Sequence, residues 1–247
     1  MPHLARYLFA ADYARGRRVL DAGTGSGYGA RLLRSTGAMT VVGIDLAPET
    51  IQQAITRFGG DGVEFFVDDC EQLGQVVGPF DLICSFESVE HLHHPERFLD
   101  AAGRLLARDG NLLISTPDRA STPPFVNGRP KNPFHIREWY EEEFCTLLSG
   151  YFAEVKMYAQ VETTALRSRT AAIAALYQVL RWHNPLVAFF LRRRPFRSRY
   201  WRTWKQLADL ASPSISDYPI IALPVAALFG TPAFHVAICR KPRSQME

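Results

Sequence analysis

Val19–Gly29 reads VLDAGTGSGYG. Apolar residues lead to Asp21, and glycine then recurs at 23, 25, 27 and 29. The pattern predicts a buried strand that ends in a turn where the backbone comes close to a ligand, because glycine has no Cβ and accepts positive φ. Strand, glycine turn and helix are how an open α/β sheet begins a nucleotide site. The stretch therefore places a nucleotide-like ligand in the first part of the chain without naming it.

Outward from this turn, apolar runs alternate with amphipathic ones. Strands are predicted at Arg17–Asp21, Thr40–Asp45, Val63–Val67, Phe80–Phe86, Asn111–Ser115, Phe152–Tyr158 and Phe234–Arg240, and helices at Leu4–Ala14, Tyr28–Ser35, Pro48–Phe58, Pro95–Ala107 and Trp139–Leu148. Pro48 and Pro95 suit a first helical turn. This alternation predicts an α/β, Rossmann-like, doubly wound sheet with helices on both faces. Two segments break the rhythm. Thr116–Pro133 carries five prolines and reads as a loop over the strand ends. Ala159–Pro232 separates the last two predicted strands and reads as an inserted helical cap, leaving 1–158 and 233–247 as the core.

The chain has 247 residues, 47% of them apolar, enough for one large domain with an insertion. Cys70, Cys84, Cys145 and Cys239 have no paired spacing, which fits buried thiols in a reducing compartment and argues against a cysteine-based zinc site. The opening MPHLARYLFAADYARG has no long apolar core or small-residue cleavage site, so no signal peptide is expected. Of the 28 Lys and Arg, ten fall between Thr163 and Ala208, a stretch with no Asp or Glu; the remaining 18 face 25 acidic residues. An acidic body thus carries a basic segment.

Gly25, Gly27 and Ala30 satisfy a dinucleotide pattern as well, so this spacing alone fits a nicotinamide enzyme and a methyltransferase equally. Asp45 ends the second strand, where it can accept from both ribose hydroxyls of an adenosine. After the third strand comes Asp68–Asp69–Cys70–Glu71. A carboxylate there can accept from an adenine amino group, and the next N–H can meet a ring nitrogen. After the fourth strand comes SFESVEHLHHPERFL. VLDAGTGSGYG, VVGIDLAPE, FFVDDCEQL, FDLICSFESVEHL and GNLLISTP follow in the order and spacing of class I S-adenosylmethionine-dependent methyltransferases. The chain resembles that family from residue 1 to 158 and again in its last strand.

The resemblance implies a seven-stranded sheet with an antiparallel last strand, and S-adenosyl-L-methionine as cofactor. It assigns Asp21 and the turn Gly23, Thr24, Gly25, Gly27 and Tyr28 to the methionine end, Asp45 and Leu46 to the ribose, and Asp69 rather than Asp68 to the adenine. Cys70 would contribute its backbone, and Ser85 and Phe86 the floor under the sulfonium.

Glu87, Glu90 and His91 are spaced i, i+3, i+4, so a helical turn there would face all three one way. Two carboxylates and an imidazole can hold a divalent cation, and an oxygen-rich set points to magnesium or manganese. In the plainer reading Glu87 caps the helix and His91 packs. His135, in NPFHIREWYEEEF, adds a fourth candidate. E-x-x-E-H with a distant His resembles the metal-dependent methyltransferases of small-RNA 2′-hydroxyls, and the first part also resembles ubiquinone-pathway O-methyltransferases. Glu87, Glu90, His91 and His135 are therefore the candidate metal site, with His91 and His135 the candidate catalytic residues and His94 a further proton acceptor. His93 and His94 read as solvated residues at a helix start.

HLARYLFAA resembles the leading helix of bacterial methyltransferases of surface-glycan or sugar pathways, in which Arg6 and Tyr7 would close over the cofactor carboxylate or Tyr7 would pack. These features lead to O-methylation of a sugar, glycan or related natural-product hydroxyl. The substrate would be a small molecule or a lipid- or nucleotide-linked sugar. The basic segment fits phosphate groups of such a substrate, an anionic membrane surface, or a solvated face. RNA is disfavoured by the acidic body and the lack of an RNA-binding module. No apolar stretch reaches the twenty or so residues of a membrane span. The expected location is the cytoplasm, with contact at the inner membrane face left open.

Overall fold

The computed structural model describes residues 2–121, 130, 132–163, 215–222 and 230–243. The elements are α1 (Pro2–Ala14), β1 (Arg18–Ala22), α2 (Tyr28–Ser35), β2 (Thr40–Asp45), α3 (Pro48–Phe58), β3 (Val63–Val67), β4 (Phe80–Phe86), α4 (Pro95–Leu105), β5 (Leu106–Pro117), α5 (Glu141–Ser149), β6 (Phe152–Thr163), β7 (Ile220–Ala222) and β8 (Gly230–Pro242), with 3-10 turns at Val89–His91 and Ile215–Asp217.

The strands form one sheet in the order β3-β2-β1-β4-β5-β8-β6-β7. β1 to β5 are parallel; β8 runs antiparallel to both β5 and β6. The inner strands read as continuous apolar runs because both faces are covered. Val19, Leu82, Cys84 and Leu113 point to a layer with Tyr7 and Ala10 of α1, Leu33 of α2 and Ile51 of α3. Leu20, Ile83, Leu112 and Ile114 point to the other, with Phe98 of α4 and Phe144 of α5. Pro48 and Pro95 open α3 and α4 as expected. Strand order reverses at β1, with β2 on one side and β4 on the other, and that switch point creates a crevice at the carboxyl ends of the strands.

Among the described residues the sheet has eight strands rather than the expected seven. The extra strand, β7, pairs antiparallel with Tyr158–Gln160 of β6 at the sheet edge. Its three residues, between Pro219 and Pro224, are too few for an alternating pattern to show in the sequence. β6 and β8 also extend past their predicted ends, because they pair with each other from Phe152↔Pro242 to Thr163↔Gly230. Residues 164–214 and 223–229 of the expected helical cap, including the basic run, lie outside the described residues. None of the described helices is long and apolar enough to cross a membrane.

α5 starts two residues later than predicted. Trp139 is instead extended and bridged to Asp118, and Glu143 accepts the Tyr140 N–H at 3.1 Å to set the helix start. Trp139 and Phe144 are fully buried, with ring centroids 5.7 Å apart. Burial of a large apolar side chain contributes about 1.5–3 kcal/mol, so this pair anchors the irregular segment that carries His135.

Candidate active site

A cavity of about 440 Å³ opens in the switch-point crevice, a volume within the ordinary range for small-molecule sites. The glycine turn contributes Gly23, Thr24, Gly25, Ser26 and Tyr28 to its wall, the end of β2 Asp45 and Leu46, the loop after β3 Asp69 and Cys70, and the end of β4 Phe86, Glu87, Ser88, His91 and Leu92. α1 covers one side with His3 and Tyr7.

Gly25 has φ 54° and a Cβ there would meet nothing within 4 Å, so its bare backbone faces open space. Its N–H donates to Asp45 Oδ2 at 3.0 Å, while Asp45 Oδ1 accepts the Ala47 N–H at 3.0 Å. The carboxylate thereby ties the β1 turn to the β2 end. Gly29 serves packing instead: a Cβ there would lie 2.0 Å from Tyr7 Cζ, so its absence lets α1 seat on α2.

Asp21, Gly27 and Ser85 stand behind the wall rather than on it. Asp21 is fully buried and accepts from Thr24 Oγ1 at 2.6 Å and from Tyr7 Oη at 3.0 and 3.2 Å. It therefore reaches the cavity only through these two hydroxyls, both of which line it. Burial pushes its carboxyl up to about 6, against the two hydroxyl bonds that pull it down. A carboxyl raised in the fold is most favourable when protonated, so its contribution to stability falls as pH rises from about 4 through 6. Asp21→Asn removes that fall. The stability difference between pH 4 and pH 7, measured by chemical denaturation, should shrink by about 2 kcal/mol relative to wild type. Equal pH dependence in both proteins would refute this account of Asp21.

Asp68 and Asp69 separate clearly. Asp68 is buried and its carboxylate is occupied by the N–H groups of Asp69, Gly74 and Gln75 at 2.9, 3.2 and 2.8 Å. Asp69 lines the cavity and accepts the Glu71 N–H at 2.9 Å. Burial pushes the Cys70 thiol up to about 12, so it is unreactive. His3, Ser26, Ser88 and Leu92 are wall residues the sequence reading did not single out. Ser88 carried no sequence signal: only in the fold does it fill the space of the missing Cβ at Gly23, which would otherwise sit 2.1 Å from its Oγ.

At the other end of the cavity, Glu90, His91 and His135 bring one ligand atom each within 4.8 Å of one another. Glu87 is not part of that group. It has φ 56°, so the chain bends left-handed there and only then forms the short 3-10 turn Val89–His91. The expected helical face over 87, 90 and 91 is never built. Glu87 lies instead 3.6 Å from Arg6 Nη2 and accepts from Ser115 Oγ at 3.5 Å. Arg6, fully buried, also donates to Gln160 and lies 4.5 Å over the Phe234 ring. Tyr7 packs edge-on against Phe86 and Tyr28.

Glu90 is fully buried. Its Oε2 accepts from Thr116 Oγ1 at 3.2 Å, whereas its Oε1 has no hydrogen-bond partner among the described residues. Burial, then the nearby Glu87, pushes its carboxyl up to about 8. His91 Nδ1 is 2.8 Å from the Phe134 carbonyl and His135 Nδ1 is 2.7 Å from Glu138 Oε1. The His91 and His135 rings lie 5.0 Å apart, centroid to centroid. The orphaned carboxylate oxygen beside two imidazoles is a donor set that fits a divalent cation. His93 and His94 are exposed, before α4.

A model of a methyltransferase domain matches residues 2–180. A probable S-adenosylmethionine-dependent methyltransferase of Mycobacterium tuberculosis is 32% identical over 172 residues, covering 68% of this chain. The chain spans only 61% of that relative's length. A ubiquinone biosynthesis O-methyltransferase of Xylella fastidiosa is 38% identical over 107 residues, or 42% of this chain and 43% of that protein. A solved S-adenosylmethionine-dependent methyltransferase of Thermotoga maritima, described as a possible histamine N-methyltransferase, aligns with a TM-score of 0.60 over 97% of this chain and 89% of its own, at 18% identity. That last likeness is one of fold. With the family match running through the glycine turn, Asp45, Asp69 and the E-x-x-E-H segment, the chain belongs to the class I S-adenosylmethionine-dependent methyltransferases.

Proposed function

We propose that the protein transfers a methyl group from S-adenosyl-L-methionine to a hydroxyl, assisted by a divalent metal ion. The observation that carries this reading is that one cavity wall holds both Asp45 and Asp69, suited to an adenosine, and Glu87 and His91, beside Glu90 and His135. The donor supplies a sulfonium methyl for in-line displacement, a reaction in which positioning carries much of the catalysis. Asp45 would accept from the ribose hydroxyls and Asp69 from the adenine amino group. Gly23, Thr24, Gly25 and Tyr28 would surround the methionine end, with Tyr7 and Thr24 oriented by Asp21. Phe86 would form the floor.

Glu90, His91 and His135 would hold the ion, which supplies Lewis acidity that lowers the pKa of a bound hydroxyl. Two imidazoles and one carboxylate suit manganese(II), iron(II) or zinc better than magnesium, because only one of the three donors is a hard oxygen. Arg6 keeps Glu87 beside the group as a separate carboxylate facing the acceptor. The acceptor we favour is a hydroxyl of a sugar, glycan or related natural product. The ubiquinone-pathway relative supports oxygen as the accepting atom.

The test is a screen of sugar, nucleotide-sugar, phenolic and RNA acceptors with labelled donor, in chelator and with added ions. Turnover on a hydroxyl acceptor is expected to vanish in chelator and to return with manganese more fully than with magnesium. Full turnover in excess chelator, by a preparation containing no metal, overturns the metal-assisted reading.

A further inference from the structure

We propose that Glu138 is the positioning residue of the Glu90–His91–His135 group, fixing the tautomer and orientation of His135 so that its Nε2 lone pair faces the group. The inference rests on the metal reading above but also has a consequence in the metal-free protein.

A carboxylate can only accept, so the 2.7 Å contact between Glu138 Oε1 and His135 Nδ1 requires an Nδ1–H and leaves Nε2 unprotonated in the neutral ring. His91 is set the same way, by the Phe134 carbonyl at 2.8 Å. One nitrogen of each ring lies within 4.8 Å of a Glu90 carboxylate oxygen, and with Nδ1 engaged elsewhere Nε2 is the nitrogen left to act as a ligand. Ring N–H groups held by a carboxylate or a carbonyl are the usual support of metal-bound histidines.

The backbone of this segment is held by other bonds. Ile136 N–H and Arg137 N–H donate to the Glu90 carbonyl at 2.8 and 3.3 Å, and Arg119 N–H donates to the Trp139 carbonyl at 3.1 Å. These bonds strap Ile136 and Arg137 onto the 3-10 turn and Trp139 onto the segment after β5, without the Glu138 carboxylate. What the carboxylate adds is control of the ring. Glu138 is 3% exposed, and burying a charge there is costly where a neutral acceptor serves His91. Its charge raises the basicity of Nε2, which the Phe134 carbonyl does not do to the same degree for His91.

The experiment compares wild type, E138Q and E138A in two readouts. In metal-free protein with ¹⁵N-labelled histidine, the His135 ring is expected as the Nδ1–H tautomer in wild type and to lose that preference in E138A. In manganese(II) titrations followed by electron paramagnetic resonance, E138A is expected to bind the ion ~10–100-fold more weakly. E138Q, which keeps an acceptor without the charge, should fall between. Donor affinity within about twofold of wild type in E138Q is the control for folding. A wild-type His135 in the Nε2–H tautomer overturns the assignment of Glu138, whatever the metal does. So does wild-type manganese affinity in E138A. Wild type with the Nδ1–H tautomer but no uptake of manganese or zinc overturns the metal reading instead, leaving Glu138 as the orienting partner of a metal-free imidazole.

Discussion

Glu90→Gln is expected to lower kcat/KM for methyl transfer by ~100-fold or more, the scale set by loss of metal-assisted activation of a hydroxyl, while leaving the fold at least as stable as wild type. Burial and the proximity of Glu87 already favour the neutral form of Glu90 in the metal-free protein. Glutamine matches that form in shape and charge, and its side-chain oxygen can still accept from Thr116 Oγ1. The raised pKa of wild-type Glu90 means that its contribution to stability declines as pH rises from the ordinary carboxylate range toward 8; the variant does not share that decline. Thermal melts at pH 6 and pH 8.5 should therefore diverge in favour of the variant at the higher pH, even as manganese-supported turnover is lost. Wild-type turnover by Glu90→Gln with saturating manganese would remove Glu90 from the catalytic group.

Asp45→Ala is expected to weaken S-adenosylmethionine binding by ~100-fold or more. Hydrogen bonds to a charged group contribute about 1.5–3 kcal/mol each, and the carboxylate stands to lose two from the ribose. It also holds Gly25 N–H and Ala47 N–H at 3.0 Å, so its removal loosens both sides of the nucleoside subsite. Asp45→Asn keeps one accepting oxygen and should show a loss of about tenfold, in line with one such bond. Isothermal titration with the donor reads both values. An affinity for Asp45→Ala within threefold of wild type would move the ribose away from Asp45.

The donor half of this site was legible because its chemistry is local. Asp21, the glycines and Tyr28 fall within one strand–turn–helix unit, and Asp45 and Asp69 stand at the ends of the next two strands. Alternating strands and helices, opened by Pro48 and Pro95, specify where those ends come. Even there the sequence only nominated Asp21 as a cofactor contact; the fold encloses it behind Thr24 and Tyr7 because α1 lies over the turn. Only the fold leaves Asp69 on the cavity wall and gives the Asp68 carboxylate to three backbone N–H groups.

The acceptor half could not be read the same way. Glu87, Glu90 and His91 have helical spacing, yet one left-handed residue at Glu87 breaks the face that spacing implies. The guanidinium that then takes Glu87 comes from α1. His91 is joined to the His135 segment by a hydrogen bond across 43 residues of chain. β7, too, exists only because β6 offers it an edge. By itself the sequence determined the family, the parallel part of the sheet and the glycine turn, since those follow from periodicity and from residues a few positions apart. Tertiary structure alone decided which carboxylate joins the two histidines, because that depends on backbone dihedrals and on side chains that only folding brings within hydrogen-bond reach.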